Sequence, residues 1–259
     1  MRAIVSMTSW PKRIMYVAKV VNALLSQTRK PDEIHLWLAK EEFEDKKLPE
    51  DLQTLVDDKD VMLHWLEKNA YLHKRHEIFK YTTDDDLVFF FDDDVIYKNT
   101  LIEEVMNKSE ELGNKTIINY HSFVNHKYDG KHIKYSRRET DNKEYNYCMW
   151  CGHSMIPSKI YPKFLLEDEY VKKRDELSPI SEECWLQPWL IWLNIPICCA
   201  DCGCGEEVAR NAKRLGLCSW YYKLDENRLS YKDKCLYAVL NEYNFIYEKY
   251  KKLFNYDCE

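Results

Sequence analysis

The chain has 259 residues, 45% of them hydrophobic and 14% aromatic, and a formal net charge of −6. That length supports one large domain or a core domain with a smaller appendage, and the acidic balance argues against nucleic acid as the main partner. No apolar run is long enough to span a membrane and the N-terminus lacks a signal-peptide profile, so a cytoplasmic protein is expected.

Nineteen tyrosines suggest a surface or cleft that mixes apolar contact with hydrogen bonding. Ten cysteines would suggest disulfides in a secreted chain; nothing here marks secretion, and reduced, mostly buried thiols are expected. Cys148/Cys151 and Cys199/Cys202 have the spacing of a structural zinc site, but the pairs lie far apart and such spacing recurs by chance in a cysteine-rich chain.

In chain order, Arg2–Thr8 reads as a short apolar strand ending in small polar residues, followed by a Trp10–Arg13 loop. Ile14–Ser26 reads as a helix with Ile14, Val17, Ala18, Val21, Leu24 and Leu25 on one face. After a break containing Pro31, Glu33–Leu38 alternates like a strand. Pro49–Val56 reads as a helix, Val61–Leu66 as a strand and His73–Tyr81 as a helix. Leu87–Phe91 is an unbroken apolar run of the kind found in strands buried on both faces. A helix over Leu101–Leu112 and a strand over Thr116–Tyr120 follow. Strands alternating with helices imply an α/β protein, with a mostly parallel sheet flanked by helices.

From about Tyr120 to Tyr147 the pattern lapses into polar, aromatic and basic residues, as in a long loop or small hairpin over the mouth of the sheet. Cys148–Pro157 reads as a strand and Ser158–Leu166 as a helix. Ser181–Leu193 starts with a capping residue and two acids, although Pro188 argues against a straight helix. Ile195–Cys199 is a last short strand. Residues Lys232–Phe254 carry a helical stripe, Leu236, Val239, Leu240, Tyr243, Ile246, Tyr247, Tyr250 and Leu253. Packing against the main domain or a dimer mate is the plainer use of that stripe. Lys249, Lys251 and Lys252 beside it leave open a peripheral membrane contact.

The chemistry concentrates at LVFFFDDDVIY, Leu87–Tyr97. Asp92, Asp93 and Asp94 repel one another, so folding alone does not favour them. In an extended segment Asp92 and Asp94 point to one side and Asp93 to the other. Two carboxylates at the mouth of a buried sheet suit a divalent cation that also holds phosphate oxygens. The other triplet, Asp84–Asp86, precedes the strand and reads as a solvated loop.

These pieces resemble glycosyltransferases of the GT-A fold, in particular bacterial enzymes of capsule or surface-glycan assembly. SMTSWPKRI follows the first strand, QTRKPDEIHLWL resembles the second strand with its lead-in, and HKRHEIFKYTTDDDLVFFFDDDVIY looks like the helix leading into that family's DxD strand. CGHSMIP resembles the strand that meets the acceptor, and SEECWL the acidic pair after it; the likeness covers roughly residues 1–200. It implies a donor half over 1–120, an acceptor half over 121–230 and a helical extension over 231–259.

The resemblance implies a UDP- or GDP-sugar as donor and a glycan or lipid-linked acceptor, reached at the inner face of the membrane. Asp92 and Asp94 would hold Mn²⁺ or Mg²⁺, because the ligands are hard oxygens. Asp93 would touch ribose or sugar hydroxyls, and Lys74, with Arg75 second, the phosphates; a solvated helix face is the alternative for both. Thr8, Ser9 and Arg13 are donor-site candidates by position, and Trp10 would either stack or cap the core. Glu183, with Glu182 second, would be the general base of an inverting transfer, although aspartate is commoner there; retaining chemistry stays open. His153 would touch the acceptor or be structural. A homodimer also stays open.

Three other functions share parts of this pattern. A nucleotidyltransferase would show a glycine-rich loop after the first strand, which SMTSWPKRI lacks. A haloacid-dehalogenase-type phosphatase would begin with its acidic motif. A non-catalytic binding module on a decayed transferase fold would not need both acidic clusters.

Overall fold

The computed structural model describes residues 1–120, 125–128, 132–135, 153–200, 205–209 and 223–253. The chain begins with strand β1 (Ala3–Thr8), buried along its whole length, and helix α1 (Ile14–Leu25). Strand β2 (Glu33–Ala39), helix α2 (Glu50–Asp57) and strand β3 (Met62–Leu66) follow. After the segment Tyr71–Lys80 come β4 (Leu87–Phe90), the short β5 (Val95–Ile96), α3 (Leu101–Glu111) and β6 (Ile117–Asn119). Two short strands, β7 (Asn125–Tyr128) and β8 (Ile133–Tyr135), pair antiparallel, so the polar stretch contains a small hairpin. The rest comprises β9 (Ser154–Pro157), α4 (Asp168–Leu177), α5 (Glu182–Trp192), β10 (Ile197–Cys199), β11 (Glu206–Glu207), α6 (Tyr231–Glu242) and α7 (Asn244–Leu253).

Among the described residues the main sheet has the order β10-β6-β9-β4-β1-β2-β3. It is parallel except for β9, which runs antiparallel to both β4 and β6. Buried strands expose neither face, so neighbouring residues feed opposite cores. Ile4, Val88, Phe90 and Ile156 join one cluster with α5, α6 and α7. Ala3, Val5, Met7, Leu87, Phe89, Phe91 and Met155 join the other with α1 and α3. Parallel β1 and β4 are neighbours, so their C-terminal ends open side by side at one edge.

The elements depart from the sequence expectations in places with identifiable causes. Tyr71–Lys80 is a run of 3₁₀ turns, with His73, Lys74, Arg75 and His76 all buried; its side chains are held by individual polar partners, and Lys74 and Arg75 do not lie on a solvated face. Ser158–Leu166 splits into turns at Ser158–Ile160 and Lys163–Leu166, because Pro162 has no N–H and keeps Tyr161 extended. Helix α4 is mostly charged and carries no apolar stripe by which its sequence would show a helix. Helix α5 continues through Pro188 and is buried along nearly all its length, so packing offsets the bond that proline cannot donate. Asp86 is not part of a solvated loop: it is buried and accepts from Arg2 at 2.7 and 2.9 Å and from the Thr83 N–H at 2.7 Å.

The C-terminal stripe is divided between α6 and α7, which break at Tyr243. Leu236, Val239, Leu240, Ile246 and Tyr250 are buried in the same cluster as β4 and α5, and Tyr243 stacks edge-on against Trp189 at 4.7 Å. No helix among the described residues is long and apolar enough to cross a membrane. Cys184, Cys198 and Cys235 are buried thiols. Cys148, Cys151, Cys202 and the Cys199 side chain, which would form the zinc-like pairs, lie outside what is described.

If α6 and α7 complete this core, Leu236→Ala should destabilise the protein by about 2–5 kcal/mol. Urea unfolding would measure it, and an unchanged midpoint would mean that the C-terminal helices do not support the sheet.

Candidate functional site

Strand β4 ends where its neighbour β1 ends, and the chain beyond it turns into the open edge. Phe91 is still buried, and its N–H reaches the Ser6 carbonyl at 3.4 Å. The three aspartates that follow have different surroundings. Asp93 is buried and accepts from Ser9 Oγ at 2.5 Å and from the Arg13 guanidinium. Arg13 also lies 2.5 Å from Asp94. Asp92 is the most open, with 26% of its side chain exposed, 3.3 Å from Arg75 and 3.8 Å from His153. Its backbone N–H donates to the Tyr97 hydroxyl at 2.9 Å, which fixes the turn.

This crowding leaves negative charge in excess. Burial pushes the carboxyl of Asp93 up, against Arg13 and Ser9. Burial, with the neighbouring charges of Asp92 and Asp93, pushes Asp94 up to about 7, only partly offset by Arg13. A carboxyl in that condition gains from a cation. Among the described residues no three His, Cys, Asp or Glu side chains form a metal cage. The chain turns at Asp93 and Asp94 instead of staying extended, so the expected alternation does not hold: Asp93 and Asp94 both face Arg13, while Asp92 faces Arg75 and His153. Asp92 and Asp94 remain hard oxygen donors of the kind a divalent ion takes beside water and a bound diphosphate.

Other donor-side candidates are already engaged. Thr8 Oγ1 donates to the Trp37 carbonyl at 2.8 Å, tying β1 to β2. Lys74 Nζ donates to Glu42 at 2.8 Å; burial lowers its pKa, with Glu42 and Asp93 opposing. Trp10 is half-buried, with the Lys12 ammonium 5.1 Å from its ring centre.

The second acidic pair opens α5. Glu182 is buried, with both oxygens occupied: Arg75 Nε donates at 2.9 Å, Arg75 Nη2 meets the other oxygen, and His76 Nε2 lies 3.0 Å away. Burial alone would raise this carboxyl; Arg75 and His76 hold it down at about 2. That leaves Glu182 no basicity and no free oxygen near neutral pH, so its geometry is that of an anchor. Glu183 turns the other way, to the Lys232 ammonium on α6 through Oε1, and its buried Oε2 has no hydrogen-bond partner among the described residues. Thr8, Ser9, Arg13 and the aspartates thus gather at the mouth of β1 and β4. Arg75 ties Glu182 to Asp92, while Glu183 faces Lys232.

A further piece frames the aspartates. Strand β11 pairs with β5 just after them, and the Val208 N–H donates to the Asp94 carbonyl at 2.8 Å. An added Cβ at Gly205 would lie 1.6 Å from the Ile96 carbonyl oxygen, so only glycine allows this approach. Sequence reasoning missed Gly205, Tyr97, Glu42, Lys232 and the structural use of Arg75. Gly205 was the most legible of these, being one of only six glycines.

No family model and no curated protein matches this sequence. Solved structures do. S. aureus TarS, residues 1–349 in complex with UDP, is 14% identical, with a TM-score of 0.51 over 100% of this chain and 76% of that one. GalNAc-T7 with UDP, GalNAc and Mn²⁺, a GT-A protein, is 10% identical, with a TM-score of 0.59 over 78% of this chain. This chain spans 43% of GalNAc-T7 as crystallised. The chain has the GT-A fold. In that GT-A sheet, the buried Arg75 links the aspartates after β4 to the start of α5.

Arg75→Met should lower stability by about 3–5 kcal/mol near neutral pH, because it strands a buried carboxylate. Since Glu182 sits at about 2 when folded, below its ordinary 4.5, the pair's stabilisation is complete above that ordinary value and is lost as pH falls toward 2. The deficit of the variant, followed by urea unfolding, should shrink over that window. A deficit independent of pH would assign the effect to packing.

Proposed function

We propose that this protein is a metal-dependent, inverting glycosyltransferase. It moves a sugar from a UDP- or GDP-sugar to a glycan or lipid-linked acceptor in the assembly of a bacterial surface polysaccharide. The observation that carries this reading is the under-neutralised Asp92/Asp94 pair at the mouth of β4. Two further facts support it: TarS was crystallised with UDP, and GalNAc-T7 with UDP, GalNAc and Mn²⁺.

On this reading residues 1–120 bind the donor, 121–230 meet the acceptor, and 231–259 brace the acceptor side. Asp92 and Asp94 would hold Mn²⁺ or Mg²⁺, which when bound supplies a Lewis acid for the departing diphosphate. Asp93, locked by Ser9 and Arg13, forms a rigid floor for the donor's hydroxyls, with Thr8 at the strand end beside it. Lys74 would exchange Glu42 for a phosphate oxygen.

Glu183 is the proposed general base. The acceptor hydroxyl gives its proton to Oε2 as its oxygen bonds to the anomeric carbon, and the diphosphate leaves with the electrons of the broken bond. Glu182 acts as an anchor on this reading. The reaction would take place in the cytoplasm, at the inner membrane face where a lipid-linked acceptor is presented.

Calorimetry should show Mn²⁺ strengthening UDP binding, with the enhancement lost in Asp94→Asn. Because Asp94 sits at about 7 without metal, metal binding must displace its proton, so Mn²⁺ affinity should weaken about tenfold per pH unit below that value and level off above it. Metal-independent UDP binding, equal in the variant, would remove the site.

Glu183→Gln should keep UDP–Mn²⁺ binding while transfer falls by about 10²–10⁴-fold. Wild-type transfer rates in that variant would exclude Glu183 as the base.

A further inference from the structure

Lys232 carries a charge that its own helix does not favour. It is the second residue of α6, whose start is fixed by a capping box between Ser230 and Asp233. A helix N-terminus bears partial positive charge, so a cation in its first turn is disfavoured. Lys232 is also buried, with 3% of its surface exposed, and burial of an ammonium is costly without a close anion.

That anion is Glu183, itself buried in the first turn of α5. A carboxylate at this end of a helix is favoured by the dipole, and its burial calls for a paired cation as well. Among the described residues, the thiols of Cys184 on α5 and Cys235 on α6 also feel the charge of Glu183. Burial pushes both upward, leaving them uncharged near neutral pH. Among the described residues, Lys232 is the cation paired with Glu183.

The pairing is one-sided. The ammonium occupies Oε1, while Oε2 is buried and has no hydrogen-bond partner among the described residues. An unsatisfied carboxylate oxygen in a folded interior needs an explanation, and a substrate hydroxyl is a group that would satisfy it.

We propose that Lys232 is a positioning residue for the transfer reaction: from the C-terminal helix it places its ammonium on Oε1 of the buried Glu183, leaving Oε2 for the acceptor hydroxyl. This rests on the reading of Glu183 as the general base. Without the ammonium, a buried carboxylate binds a proton, and a carboxylic acid cannot take a second proton from the acceptor. The C-terminal helices are then part of the reaction's machinery, although they contribute no group that touches the substrate.

The test is the pH dependence of kcat/KM for transfer from the accepted nucleotide-sugar, measured for wild type, Lys232→Met and Lys232→Arg. In Lys232→Met the acid limb should move up by about one pH unit or more. The loss is then about tenfold or greater on the acid side and disappears at alkaline pH, where Glu183 ionises unaided. Lys232→Arg should restore a limb close to wild type.

UDP–Mn²⁺ binding by calorimetry should be unchanged in both variants, which verifies a folded donor site. If Lys232→Met does not fold, Lys232→Gln keeps a hydrogen-bond donor without the charge and should show the same shift. A loss by one constant factor at every pH, or an unmoved acid limb, would overturn the proposal. An unmoved limb beside an inactive Glu183→Gln defeats the role of Lys232 alone; an active Glu183→Gln defeats the base assignment beneath it.

Discussion

The site is held together by one buried guanidinium. Arg75 has 1% of its surface exposed, sits over the Phe90 ring at 4.8 Å, and divides its donors between Glu182 and Asp92. A buried pair of this kind gains little over an apolar replacement, but neither half tolerates losing the other. Arg75 therefore acts as a constraint on geometry. The end of β4, the Tyr71–Lys80 turns and the start of α5 must stay in register, because any separation would strand a charge in the core.

That constraint extends into the sheet. Ser6 Oγ donates to the Arg75 carbonyl at 2.7 Å and accepts from Trp37 Nε1 at 3.0 Å, so the Arg75 backbone is tied to β1 and β2 as well. His76 extends the network to the Tyr161 hydroxyl at 3.1 Å. With hydrogen bonds on both its main chain and its side chain, Arg75 is fixed before any substrate arrives, as a preorganised electrostatic site requires.

The fold was legible wherever apolar residues alone determine structure. Buried strands such as Ala3–Thr8 and Leu87–Phe90 read directly from their runs, and α1 from its period. Asp92–Asp94 could be separated from Asp84–Asp86 because one triplet follows a buried run and the other precedes it. Yet Asp86 is itself buried, since Arg2, far away in sequence, supplies its counter-charge. The same blindness covers Tyr71–Lys80, where a basic-looking stretch has its charges inside. Sequence displays charges but not their partners, and 107 positions separate Arg75 from Glu182. Lys232 was hidden for the same reason, in a helix whose apolar stripe drew attention to packing.

The two acidic clusters look alike in sequence and differ in their charge balance. At the end of β4, Asp93 and Asp94 share Arg13, and Asp92 has only a lesser share of Arg75. Burial, with Asp92 and Asp93 close by, raises Asp94 to about 7, and Arg13 offsets this only in part. At the start of α5, Glu182 has Arg75 with support from His76, and Glu183 has Lys232, so each carboxylate is matched by a cation. A deficit of positive charge suits residues that recruit a metal ion. A balanced pair suits carboxylates that are held in place by their cations. Local neutralisation, more than the identity of the acidic residues, distinguishes the two clusters.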